Sequence, residues 1–166
     1  MAGLGPDQFG SRDQIEASCD KFNAASAFVK EHGMTFGIHN HWWEFLQVED
    51  QLVYRTMQEF LDPDVFFQID AYWVQTAGPD PAGVIRELGA RAPLIHVKDG
   101  PCTREADMQA LGEGIVDFKN IADAAEHVDW IRRSAGRRHP PLRAIYTMSG
   151  TCPHRIRSAC PGDRRP

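Results

Sequence analysis

Glu44, Asp70 and His96 are separated by two equal intervals of 26 residues. Two carboxylates and an imidazole are hard-to-borderline ligands suited to Mn²⁺, Mg²⁺, Co²⁺ or Zn²⁺, and an ion among them would polarise a carbonyl or hydroxyl oxygen. Taken singly, each residue has a plainer use. Asp70 can cap the next segment, His96 can hydrogen-bond within a core, and Glu44 can be solvated. Three such groups recurring at one interval favour a shared metal, because perturbed polar groups concentrate at functional sites. Further candidates surround them. The stretch FGIHNHWWEF, Phe36 to Phe45, ends an apolar run in two histidines, two tryptophans and a glutamate. A strand buried on both faces has no solvent to hydrate imidazoles, so these groups are paired or chemically engaged. His41 is of a type that moves protons near neutral pH. His39, on the same face, is expected to contact substrate. Lys98 lies two residues past His96, hence on the same face of an extended chain, where an ammonium holds a hydroxyl or enolate oxygen; it joins His41 as a catalytic candidate. Trp73 offers an aromatic face to a sugar ring, although core packing is the commoner use of a Trp after a strand.

The elements that position these residues alternate. Ser11 and Gln14 form a capping box, and Ile15, Cys19, Phe22 and Phe28/Val29 recur at helical spacing until Gly33. Thr35 to His39 reads as a strand, Leu52 to Leu61 as an amphipathic segment, and Val65 to Asp70 as a second strand. Asp80-Pro81 supplies an N-cap and a first-turn proline for a helix running to Leu88, with Gly89 as its stop. Leu94 to Lys98 is a third strand, Asp117 to His127 a helix, and VDWI the start of a fourth strand. Continuous apolar strands alternating with helices at a repeat near thirty residues indicate an α/β fold with a parallel sheet covered by helices. Ligands of such sheets bind at the carboxyl ends of the strands, where His39-Asn40-His41, Asp70 and His96 to Asp99 stand. The strand context also separates His39-Asn40-His41 from the HNH nuclease motif, whose residues belong to a ββα unit. The glycines of LGEGIVDF, Leu111 to Phe118, permit close backbone approach but are a weak phosphate signal alone.

With 166 residues, 42% hydrophobic and 25% charged, the chain has the composition of a single soluble domain. No apolar run approaches a membrane span, no secretory signal is visible, and four scattered cysteines fit a reducing compartment, so a cytoplasmic location is expected. The net charge of −5 conceals an asymmetry: residues 1–131 hold 9 basic and 22 acidic residues, whereas 132–166 hold nine arginines, no lysine and one acid. The acidic body argues against nucleic acid as a partner. The tail carries five of the eleven prolines and no periodicity, and is expected to be disordered. A basic nucleic-acid arm, or a small metal knot on Cys152, His154 and Cys160, would each require a pattern the tail lacks; a shifted reading frame in GC-rich DNA accounts for its composition.

The segments FGIHNHWWEF, FQIDAYWVQTAGPDP, RAPLIHVKDGP and LGEGIVDF, in this order, resemble the second half of the sugar phosphate isomerase/epimerase family of xylose-isomerase-like barrels. The resemblance spans roughly Gly5 to Ile131. It implies a partial (β/α)₈ TIM barrel of about four βα units and one divalent cation held by Glu, Asp, His and Glu. Asp70 and His96 match the second and third ligands. The first falls on Glu44, as in dehydratase-like members, or on the strand end that His39 occupies. The family's first four strands would precede Met1, and its last glutamate falls where Arg132, Arg133 and Ser134 stand. The implied activity is metal-dependent proton transfer on a ketose or keto-cyclitol, giving isomerisation, epimerisation or dehydration, impaired by the missing parts. Self-association through open sheet edges is the expected protein contact. A non-catalytic barrel fragment is the alternative from another class, and a metal-dependent endonuclease on the same fold ranks behind it.

Overall fold

Ser11 starts the first helix by a local exchange: its Oγ accepts from Gln14 N–H at 3.3 Å, while Gln14 Oε1 accepts from Gly10 N–H at 2.9 Å. One orphan donor of the helix start, Gln14 N–H, is thereby satisfied, and the N–H of Gly10, just before the cap, is tied to the first turn. The computed structural model of the chain describes residues 4–125. In it α1 (Arg12–Lys30) buries Ile15, Ser18, Cys19 and Ser26 and packs on α2 (Val53–Phe60). The strands are β1 (Gly37–His39), β4 (Phe66–Asp70) and β5 (Leu94–His96), with a short antiparallel hairpin, β2 (Gln47–Val48) and β3 (Gln51–Leu52), between β1 and α2. After β4 come α3 (Ala71–Ala77) and α4 (Pro81–Leu88), and after β5 a long loop leads to α5 (Phe118–Ala125).

The three long-range strands form one parallel sheet in the order β1-β4-β5. Parallel neighbours require crossovers, which here are α2 and then α3 with α4, as in βαβ units. This is the architecture of part of a TIM barrel. Phe67 and Ile69 of the central strand are almost wholly buried, each worth about 1.5–3 kcal/mol of hydrophobic stabilisation. They sit in one core with Ile15, Phe45, Tyr54, Met57, Val74 and Ile85. Gly37 allows close strand approach: a Cβ there would overlap the Phe66 ring.

Register determines what meets at the carboxyl end. His39 is opposite Gln68, and Asp70 is opposite His96. Residues 68 and 70 share a face of β4, so His39, Gln68, Asp70 and His96 converge on one corner of the sheet. The helix over Ala71–Ala77 was not expected from the sequence; Gly78, at φ 112°, ends it in the left-handed conformation that suits glycine. The predicted α4 matches its observed bounds, with Asp80 accepting from Ala82 and Gly83 N–H. The end of the helix predicted to reach His127, the fourth strand at VDWI and the tail from Arg132 all lie outside the described residues. Among the described residues no helix is long and apolar enough to cross a membrane.

Candidate metal centre

Asp70 ends β4 wholly buried, and its two carboxylate oxygens do different things. Oδ1 accepts from Trp73 N–H at 3.3 Å, capping α3. Oδ2 faces Lys98 Nζ at 2.8 Å, His96 Nδ1 at 3.2 Å and His39 Nε2 at 3.5 Å. The backbone at this point is clamped to β1 by Asn40, whose Oδ1 accepts from Asp70 N–H at 2.7 Å and whose Nδ2 donates to Asp70 C=O at 3.2 Å. This side-chain amide extends the ladder one step beyond the last β1–β4 pair. Burial alone would raise the Asp70 pKa, but His96 and Lys98 outweigh it and hold the carboxylate below its ordinary value.

His39 is the counterpart. Burial, with help from His96, Lys98 and His41 against the pull of Asp70, lowers its pKa to about 4, so the ring is neutral at pH 7. Its Nδ1 lies 3.2 Å from Gln68 Oε1. Donation of Nδ1–H to that amide oxygen leaves the Nε2 lone pair directed at Asp70 Oδ2, an arrangement familiar from metal-bound imidazoles. In that tautomer two lone-pair atoms face each other in a buried corner, an arrangement that a cation stabilises; the Lys98 ammonium, 2.8 Å from Asp70 Oδ2, supplies one such charge. One ligand atom each from His39, Asp70 and His96 lies within 4.8 Å of the others, and His96 Nδ1 and Asp70 Oδ2 are buried without a well-aligned hydrogen bond. These residues fit a divalent ion.

The remaining candidates arrange themselves around that corner. Glu44, in the 3₁₀ turn Trp43–Phe45, is 5% exposed and stands apart from the three-residue cluster. Its Oε2 accepts from His41 N–H at 2.8 Å, and its Oε1 is 4.0 Å from His41 Nδ1. Burial raises its pKa to about 8 despite those hydrogen bonds. His41 stacks on Trp43 at 4.1 Å and 9°, and its ring meets that of His39 edge-on at 5.5 Å. Burial, then Lys98, pulls its pKa below the usual value. Lys98, which the sequence left without a partner, is paired with Asp70 and lies over Trp73 at 5.6 Å. Trp73 is half-buried, packed edge-on to Tyr72. Gln68 is not singled out by the sequence, and Asn40 is seen there only as a polar residue at a strand end, without a role of its own. Gln68 was accessible through alternation, two residues before Asp70 on the same face. No signal in a single sequence distinguishes Asn40 from any other polar residue after a strand.

Comparison with known proteins now bears on this geometry. The family model of the xylose isomerase-like TIM barrel matches residues 1–133. The chain belongs to this family. Among solved structures, a sugar phosphate isomerase/epimerase from Parabacteroides distasonis ATCC 8503 is 27% identical, with a TM-score of 0.62 over 70% of this chain and 43% of that one. A second sugar phosphate isomerase/epimerase from the same organism is 25% identical, with a TM-score of 0.62 over 76% and 45%. The probable 3-DHS dehydratase AsbF of Bacillus anthracis, involved in petrobactin synthesis, shares the fold at 17% identity, with a TM-score of 0.58 over 78% and 53%. The chain therefore spans about half the length, or less, of these solved relatives. Comparison with curated proteins gives no match.

Proposed function

We propose that the corner formed by His39, Asp70 and His96 holds a divalent cation and belongs to the mouth of a sugar isomerase/epimerase that moves a proton next to a carbonyl of a ketose or keto-cyclitol. The observation that carries this reading is the convergence of a neutral imidazole, a buried ionised carboxylate and a second imidazole on one point. Bound there, a cation such as Mn²⁺ would polarise the substrate carbonyl and acidify the neighbouring C–H. The chain's own groups supply the rest. His41 and Glu44 are adjacent, and their pKa values are displaced in opposite directions, Glu44 raised by burial to about 8 and half-buried His41 lowered, which suits proton transfer between them and a substrate. Lys98 is placed to hold a substrate oxygen beside Asp70, and the Trp73 indole to lie along the sugar. Isomerisation, epimerisation and dehydration all begin with that proton removal. The similarity to two sugar phosphate isomerase/epimerases favours the first two.

Isothermal titration with Mn²⁺ tests the ligand set. Asp70→Ala and His96→Ala should each abolish binding, whereas loss of a group that only orients a ligand, such as Gln68→Ala, should weaken it by ~10–100-fold. His39→Ala and Glu44→Gln separate the two candidates for the first ligand. Unchanged affinity in both the Asp70 and His96 variants would sink the assignment.

A further inference from the structure

The loop from Asp99 to Asp117 carries a feature that the metal centre does not explain. The Arg104 guanidinium carbon lies 3.6 Å from the centroid of Trp42, and among the described residues no carboxylate or carbonyl takes its N–H groups. Trp42 meets Trp43 edge-on at 5.6 Å, Trp43 stacks on His41, and His41 adjoins His39. An unbroken run of ring contacts thus leads from Arg104 to the His39–Asp70–His96 corner. The loop that carries Arg104 is tied down immediately before it, where Thr103 C=O accepts from the hydroxyl of buried Tyr72 at 3.2 Å. Its base is fixed by Asp99, whose carboxylate accepts from four backbone N–H groups, those of Gly100, Gly112, Gly114 and Val116. Arg104 is therefore exposed yet held, which is unusual for a residue that serves only solubility.

Charge narrows the role. Two cations touch residues of the mouth, and Lys98 is already engaged by Asp70. In a body with 22 acids against nine bases, an anionic substrate would be repelled unless a cation received it locally. A guanidinium backed by an indole keeps its forked N–H edge free, the geometry that recognises phosphate and carboxylate in a bidentate manner. We infer that Arg104 and Trp42 form a subsite for a single oxyanion, phosphate or carboxylate, on the end of the substrate remote from the metal corner. This inference rests on reading that corner as a substrate mouth.

The test is isothermal titration of the full chain at low ionic strength with four probes: fructose 6-phosphate, fructose, shikimate and inorganic phosphate. At least one of the two anionic organic probes should bind about tenfold or more tighter than fructose, as a charge-assisted pair allows. Arg104→Gln should remove that preference while leaving Mn²⁺ affinity and fructose binding unchanged. Arg104→Lys should restore only part of it. Preference for fructose 6-phosphate identifies a phosphate, and preference for shikimate a carboxylate. An unchanged preference in Arg104→Gln, or no preference in the parent chain, would overturn the proposal. So would inorganic phosphate binding as tightly as the organic anions, because that describes a surface anion site rather than a substrate subsite. The Asp70→Ala titration with Mn²⁺ reports separately on the metal reading, so an anion preference without metal binding would reject that reading and leave the subsite standing.

Discussion

At the scale of single residues, the site depends on buried polar atoms whose partners come from a different strand. Asn40 illustrates the dependence: both ends of its amide are used on the Asp70 backbone, and its Nδ2 also reaches His41 C=O at 3.2 Å. Asn40→Ala should leave those backbone groups buried and unpaired, at about 1–3 kcal/mol, read as a lower urea midpoint. Metal affinity should fall with it, since Asp70 loses its anchor to β1. Glu44 makes a different prediction. An unfolded glutamate titrates near 4.3, and in the fold burial moves this one up to about 8. Between those values the folded state binds more protons than the unfolded one, so the contribution of Glu44 to stability falls as pH rises from about 4.3 to about 8. In metal-free buffer, Glu44→Gln should flatten that decline and gain on the order of a few kcal/mol at pH 8, with little difference near pH 4. Parallel stability profiles for the two proteins across that range would show that Glu44 is ionised within the fold.

At the scale of elements, the sequence was most informative where a local rule suffices. The Ser11 and Asp80 caps, the apolar strand at Phe66–Asp70 and the placement of His39, Asp70 and His96 at strand ends all follow from periodicity and capping chemistry. What it could not show depends on register and on distant partners. The reach of His39 Nε2 toward Asp70 follows from β1 pairing Gly37 with Phe66, which no single strand encodes. The helix Ala71–Ala77 is not legible in the sequence because its start directly continues β4 with no intervening turn signal; Asp70, a candidate ligand, also caps it. Asp99 was seen only as a polar strand end, whereas it organises residues seventeen positions away: its carboxylate accepts from Val116 N–H at 3.2 Å. A Cβ on Gly114 would overlap this carboxylate, which accounts for the glycine there. Burial works to raise the Asp99 pKa, but the four N–H groups together win and lower it. For a depressed acid, the stabilising effect is present above the unfolded value and lost as pH falls through the folded one. Asp99→Asn turns one acceptor oxygen into a donor facing donors. Hydrogen exchange at Gly112, Gly114 and Val116 should quicken sharply in that variant, and in the parent chain only at strongly acidic pH. Equal protection in parent and variant would mean that the loop is held by its backbone bonds alone.

At the scale of the whole molecule, the decisive fact is that β4 is the only strand of the parallel sheet with neighbours on both sides among the described residues. Among the described residues no strand pairs with the outer edges of β1 and β5, and unpaired edges of N–H and C=O groups pair readily with an available strand. A closed barrel has no edges, and the solved relatives are about twice the length that this chain covers. Among the described residues, four of the six exposed large apolar side chains, Val97, Met108, Leu111 and Ile115, lie in the segment that follows β5, and the other two, Phe28 and Met34, lie at the end of α1 and just past it. Exposed edges together with an apolar margin favour association of copies of the chain over an isolated monomer. Association of two such units could complete a sheet, but it would bring two His39–Asp70–His96 corners together without adding a further carboxylate ligand to either. The chain should therefore elute from size-exclusion chromatography well above 18.6 kDa, with a concentration-dependent elution volume. Ketose isomerisation in the presence of Mn²⁺ should stay near background even in the associated fraction. A sharp, concentration-independent monomer peak would show that the edges are covered by other residues of the chain, and turnover by that monomer would show that three ligands suffice.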